Sequence, residues 1–118
     1  MLKKVLIVDN RDDWQRRWSE ALKEEAEVIS AFSVAEAEEK FYTNPGIKAI
    51  VVCTCGFNDD EMPITIPLIE RFRETFDGPM IGTSCELLDR ASFKREGCNH
   101  VATRFSMPYK LLSILAKI

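Results

Sequence analysis

The chain has 118 residues, 46% of them hydrophobic and 30% charged, enough for one domain over residues 1–118 with a real core and unlike a disordered tail. Its net charge of -3 and scattered lysines and arginines argue against direct nucleic-acid binding, which needs a basic face. No apolar run is long enough to cross a bilayer or serve as a signal peptide, and the four cysteines do not form a small disulfide scaffold, so a reducing cytoplasm is the expected setting.

Strand-like and helix-like periods alternate along the chain. Val5 to Val8 is a continuous apolar run, as in a parallel strand covered on both faces. Trp14, Trp18, Ala21 and Leu22 then share one helical face and are expected to pack on a sheet. Asp12 and Asp13 fall in the first turn of that helix, where acids complement its dipole. Glu27 to Ala31 reads as a second strand. Ser33 with Glu36 forms a capping box for a helix with Val34, Ala37 and Phe41 inward, stopped by Asn44-Pro45-Gly46.

The third strand, Ala49 to Cys53, leads into a long loop from Thr54 to Met62. A helix from about Ile64 to Phe76 follows, its start blurred by Pro63 and Pro67, with Ile69, Phe72 and Phe76 on one side. Asp77-Gly78-Pro79 is a turn before the fourth strand, Pro79 to Thr83, which ends in Ser84. A helix from Glu86 to Glu96 stops at Gly97. The fifth strand, His100 to Thr103, ends in Arg104, and Ser106-Met107-Pro108 opens a last helix with Leu111, Leu112, Leu115 and Ile118 inward. His100 is expected at the surface before that strand. Alternation of this kind implies a doubly wound α/β parallel sheet, a (βα)5 chain with ligands at the carboxyl ends of its strands. The first strand–helix turn has no glycine, which excludes a dinucleotide fingerprint, and no Walker motif is present.

The strand ends carry the chemistry. Asp9-Asn10 follows the first strand, Thr54 the third, Ser84 the fourth and Arg104 the fifth. With Val5 to Asn10, Pro79 to Glu86 and Gly97 to Arg104 in this order and spacing, the whole chain resembles the receiver domain of two-component response regulators, the chemotaxis-regulator fold. The resemblance implies a flavodoxin-like sheet of order 2-1-3-4-5. It also implies a pocket in which two acids after strand 1 and an aspartate after strand 3 hold Mg²⁺, and that aspartate accepts a phosphoryl group. A hydroxyl after strand 4 and a lysine after strand 5, usually followed by proline, then bind the phosphoryl oxygens.

Carried over by position, the chain keeps Asp9 and Ser84 and changes the rest. Asn10 replaces the second acid, and Thr54 replaces the acceptor, a neutral hydroxyl that is poor both as acceptor and as magnesium ligand. Arg104 replaces the lysine, a planar fork in place of a point charge, with Phe105 where proline would follow. Val101 stands where receivers often carry a switching aromatic. The pattern is that of a degenerate pseudo-receiver. One carboxylate faces one guanidinium, so Asp9 and Arg104 are expected to pair directly or through water, leaving the pocket stable without metal or phosphate.

The expected function is therefore a receiver-like signalling domain of a two-component or phosphorelay system. It would act by protein–protein contact without aspartyl phosphorylation and is not an enzyme. No cofactor is expected, and Mg²⁺ binding is expected to be weak or absent. Partners would be a histidine kinase, an output domain or another receiver. A homodimer would use the face of the fourth helix, fifth strand and last helix, with Val101, Phe105 and Tyr109 as interface candidates. One rival is an active phosphoacceptor using Thr54 or a loop acid (Asp59, Asp60, Glu61), although those acids read more simply as a solvated loop. Another is a thiol-based redox or metal-binding module using Cys55 and Cys85, which sit at one sheet edge. Strand alternation places Cys53 in the core.

Overall fold

A computed structural model describes residues 2–53, 66–83 and 97–118. Thr54, Ser84, Cys55, Cys85, the loop acids Asp59, Asp60 and Glu61, and the helix expected at Glu86–Glu96 lie outside the described residues. Five parallel strands form one sheet: β1 (Lys3–Val8), β2 (Ala26–Ala31), β3 (Ile47–Cys53), β4 (Met80–Thr83) and β5 (His100–Ala102), in the order β2-β1-β3-β4-β5. The described helices are α1 (Asp12–Leu22), α2 (Val34–Thr43), α3 (Ile66–Arg73) and α4 (Met107–Leu115). None of them is long and apolar enough to cross a membrane.

The unbroken apolar strands are explained by a core on each face of the sheet. Pleating sends Val5 and Ile7 of β1 and Val51 of β3 to one side, where Trp18 and Leu22 of α1 meet Met107 and Leu111 of α4. Leu6, Val8, Ile50 and Val52 point the other way, onto Ala37 of α2 and Leu68 and Phe72 of α3. Phe41 stacks 4.5 Å from Phe72, joining α2 to α3.

Local signals place the elements. At α2 the Glu36 amide donates to Ser33 Oγ at 3.0 Å, and the Glu36 carboxylate accepts from the Phe32 amide, one residue earlier than the usual box. At the end of α3, Arg73 donates to the carbonyls of Phe76, Gly78 and Gly97, clamping the turn into β4 to the approach to β5. Gly97 has φ +140°, a conformation that favours glycine, and a Cβ there would press on the Ile69 and Arg73 side chains at 3.1 Å.

Several expectations are corrected. β1, β2 and β3 begin before the apolar runs suggested, because Lys3, Ala26 and Ile47 already join the ladder. The described part of α3 begins at Ile66 and its helix ends at Arg73, leaving Phe76 in the following turn, half-buried against the core. In α1 the inward positions are Gln15, Trp18 and Leu22, while Ala21 is exposed. In α4, Ile114 is inward in place of Ile118, which lies beyond the helix and is exposed. His100 is half-buried as the first residue of β5, not a surface residue before it.

Candidate functional site

Asp9 is the first residue past β1, at the carboxyl edge of the sheet. Its amide donates to the Ala31 carbonyl at 3.0 Å, so the chain keeps β1 geometry one residue further before turning into α1. The side chain is thereby aimed along the strand ends and is fully buried. Oδ1 accepts the Arg11 amide at 2.9 Å, which satisfies a backbone donor at the N-cap of α1.

Arg104 approaches from the other end of the chain. Thr103 and Ser106 exchange side-chain hydrogen bonds across the β5–α4 turn, 3.1 Å from the Thr103 amide to Ser106 Oγ and 3.0 Å from the Ser106 amide to Thr103 Oγ1. The Arg104 carbonyl accepts from Trp18 Nε1 at 3.1 Å. With its backbone held by a helix across the groove, the guanidinium turns inward. Nη2 donates to both Asp9 oxygens at 3.0 Å, and Nε to Oδ2 at 3.2 Å. Asp9 is 0% exposed and Arg104 5%, so this is a buried fork-on-carboxylate pair. The Trp14 ring lies 5.7 Å from the guanidinium carbon and adds a π-face.

Burial pushes the Asp9 carboxyl above its ordinary value. The Arg11 amide, the Arg104 charge, the Cys53 thiol and the Arg104 hydrogen bonds oppose that shift without cancelling it. Cys53 is in the core at the end of β3 and directs its thiol at Asp9. Thr83, the last residue of β4, is also fully buried, and its Oγ1 has no hydrogen-bond partner among the described residues.

Of the residues expected in the pocket, Asp9 and Arg104 come together, and directly. Asn10 is exposed at the rim. Thr54 and Ser84 follow Cys53 and Thr83 in the chain and lie outside the described residues. The interface candidates separate. Phe105, next to the inward-turned Arg104, faces out and packs edge-on to Trp14 at 5.0 Å. Tyr109 borders the same furrow between α1 and α4, and Val101 is half-buried in the edge strand.

Gln15 was not expected at the site. Its Nε2 lies within hydrogen-bond reach of the carbonyls of Ile7, Asp9 and Ala31, at 3.0, 3.1 and 3.1 Å, which fixes α1 over the ends of β1 and β2. The available signal was its spacing with Trp18 and Leu22 on the buried stripe of α1.

Solved receiver structures superpose on this arrangement over nearly its whole length. A two-component response regulator from Clostridium difficile matches with a TM-score of 0.80 at 16% identity, covering 98% of this chain and 96% of that one. The chain has the receiver fold. A CheY-like response regulator receiver domain protein from Methanospirillum hungatei matches at 0.78 and 18% identity, over 99% of this chain and 96% of that one. A response regulator receiver domain from Francisella matches at 0.76 and 21% identity, over 98% and 97%. No family model matches the sequence, and no curated protein sequence is a significant match. Within the receiver fold, Asp9 and Arg104 occupy the edge where ligands of an open parallel sheet bind.

Proposed function

We propose that this chain is a receiver-like signalling domain of a two-component or phosphorelay system that acts through protein–protein contact, without aspartyl phosphorylation. The observation that carries this reading is the buried Asp9–Arg104 pair. In a phosphorylatable receiver pocket the carboxylate oxygens are ligands for Mg²⁺ and the cation is held ready for phosphoryl oxygens. Here both Asp9 oxygens accept from the guanidinium, so the oxygens a metal would need are already engaged by Arg104.

Among the described residues there is no cluster of acids, cysteines and histidines that could hold a metal ion, and the strand-end residues do not fit a magnesium site. A hard octahedral cation needs several oxygen ligands, commonly including more than one carboxylate. Asp9 is the only acid of the expected set, Asn10 brings no charge, and the sequence has Thr54 after β3. A divalent ion at Asp9 would also have to displace a buried guanidinium from its carboxylate, and breaking a buried pair costs several kcal/mol. The proposed module therefore keeps one pocket arrangement and offers its surface to a histidine kinase, an output domain or another receiver.

Incubation with acetyl phosphate and Mg²⁺, followed by phosphate-affinity electrophoresis, tests the reading. The expected result is no retarded band. A retarded band that hydroxylamine removes would mean that an acyl phosphate forms on one of the chain's acids, and the proposal would fall.

A further inference from the structure

We propose that the furrow between α1 and α4 binds a small aromatic carboxylate, its ring held among Trp14, Phe105 and Tyr109 and its carboxylate on Arg17. The furrow has a volume of about 340 Å³ and runs between Trp14, Arg17 and Trp18 on one wall and Phe105, Tyr109 and Leu112 on the other. Both its size and its make-up, rings and aliphatic carbons with few polar groups, are those of a small-molecule pocket. Trp14 stands 5.6 Å from Trp18 and edge-on to Phe105 at 5.0 Å, so three rings adjoin along the furrow. Phe105 and Tyr109 are 73% and 78% exposed, the two most exposed large hydrophobic side chains described. A ring laid against them takes apolar surface out of water.

Charge selects the occupant. The lining holds two guanidiniums, Arg17 and Arg104, and no acid, in a chain whose net charge is -3. Both lie against Trp14, their guanidinium carbons 4.9 and 5.7 Å from its ring. Arg104 is matched by Asp9. Arg17 is not matched: Arg11, Arg16 and Lys23 around it each pair with an acid, while Arg17 has no ion pair among the described residues. Two other hollows balance their own charges, with Lys3 and Glu25 lining one, and Arg16, Lys23, Asp12 and Glu20 lining the other. An excess positive charge beside exposed rings favours a ligand that is both flat and anionic.

The helix presents ring and cation together, because Trp14 and Arg17 are three residues apart on one face of α1. A carboxylate on Arg17 therefore leaves the rest of a small ligand over the rings. Acetate or inorganic phosphate brings the charge without the ring, and a neutral aromatic brings the ring without the charge. The indole that receives the ligand also borders the Asp9–Arg104 pair. The site rests on the furrow alone and stands whether or not the strand-end pocket takes phosphate.

Heteronuclear NMR of the intact labelled chain, titrated with naphthalene-2-carboxylate without phosphodonor or Mg²⁺, tests the site separately from the phosphorylation reading. The Trp14 indole N–H and the Phe105 and Tyr109 amides are expected to shift saturably. For a probe of about 13 non-hydrogen atoms the dissociation constant should be about 1 mM or tighter. Naphthalene-2-carboxamide, of the same shape without the charge, should bind about fivefold more weakly or worse, and so should the carboxylate to Arg17→Gln. Acetate should give no saturable shift at the three rings. Arg17 is exposed, and a thermal melt of the variant confirms that it folds. Equal binding of carboxylate and carboxamide, or an Arg17→Gln chain that binds as wild type does, would overturn the assignment of an anion. Saturable shifts with acetate would overturn the assignment of a ring. No saturable shift with the naphthalene carboxylate would overturn the site altogether and leave the furrow to a macromolecular partner.

Discussion

Removing the carboxylate of Asp9 while keeping Arg104 takes the counter-ion at 3.0 Å away from a guanidinium that is 5% exposed. The loss comprises donor–acceptor contacts of 3.0, 3.0 and 3.2 Å and the acceptor for the Arg11 amide. Breaking a buried pair from one side costs about 3–5 kcal/mol, because the remaining charge is desolvated and unpaired. That is a large share of the roughly 5–15 kcal/mol that holds a domain folded. Asp9→Ala is therefore expected to lower the midpoint of thermal unfolding by about 10–20 °C, at a few degrees per kcal/mol for a chain of this size. Replacing both groups, as Asp9→Leu with Arg104→Met, should return stability to within about 1 kcal/mol of wild type, since an apolar pair escapes the desolvation penalty. Urea titrations of the two singles, the double and the wild type, compared at constant m-value, give the coupling directly. Additive losses, or an Asp9→Ala cost under about 1 kcal/mol, would refute the picture of a dry, mutually dependent pair.

Three further outcomes follow from particular contacts. Burial holds the Asp9 carboxyl above its unfolded value of 3.8, so the folded chain retains that proton more tightly. Its contribution to stability is then fully present below 3.8 and is lost as pH rises through the folded value. A side-chain carboxyl NMR titration should give a midpoint above 3.8, and one at or below it would contradict the assignment. Gln15→Leu leaves strand-end carbonyls at Ile7 and Asp9 without their side-chain donor and should cost about 1–3 kcal/mol in denaturant titrations. Desolvation pushes the Cys98 thiol up to about 12, so thiol-alkylating reagents at pH 8 followed by peptide mapping should leave Cys98 unlabelled in the native state and label it after unfolding.

The sheet and its order were legible because parallel strands covered on both faces leave unbroken apolar runs, and Asp9 and Arg104 stand at the ends of two of them. Their pairing was legible too, since one carboxylate and one cation stand on the same edge of the sheet, after the first and fifth strands. The role of Gln15 was not, because a polar residue on a helix reads as solvent-facing unless the carbonyls above it are known to converge. The outward turn of Phe105 and Tyr109 toward α1 depends on Trp18 holding the Arg104 carbonyl, a contact between residues far apart in the chain. Ile118 was misplaced because a helical period continues in sequence past the point where the α4 hydrogen bonds give way to turns.

The most direct test of a closed, metal-independent pocket is heteronuclear NMR of the labelled chain, titrated with Mg²⁺ and then with beryllofluoride, which mimics a phosphoryl group on aspartate. The account expects the Asp9 and Thr83 amides and the Arg104 Nε–H resonance to stay unmoved through both additions. Saturable shifts at those resonances, with the Arg104 Nε–H released from Asp9, would show that the pocket still opens to a metal and a phosphoryl group.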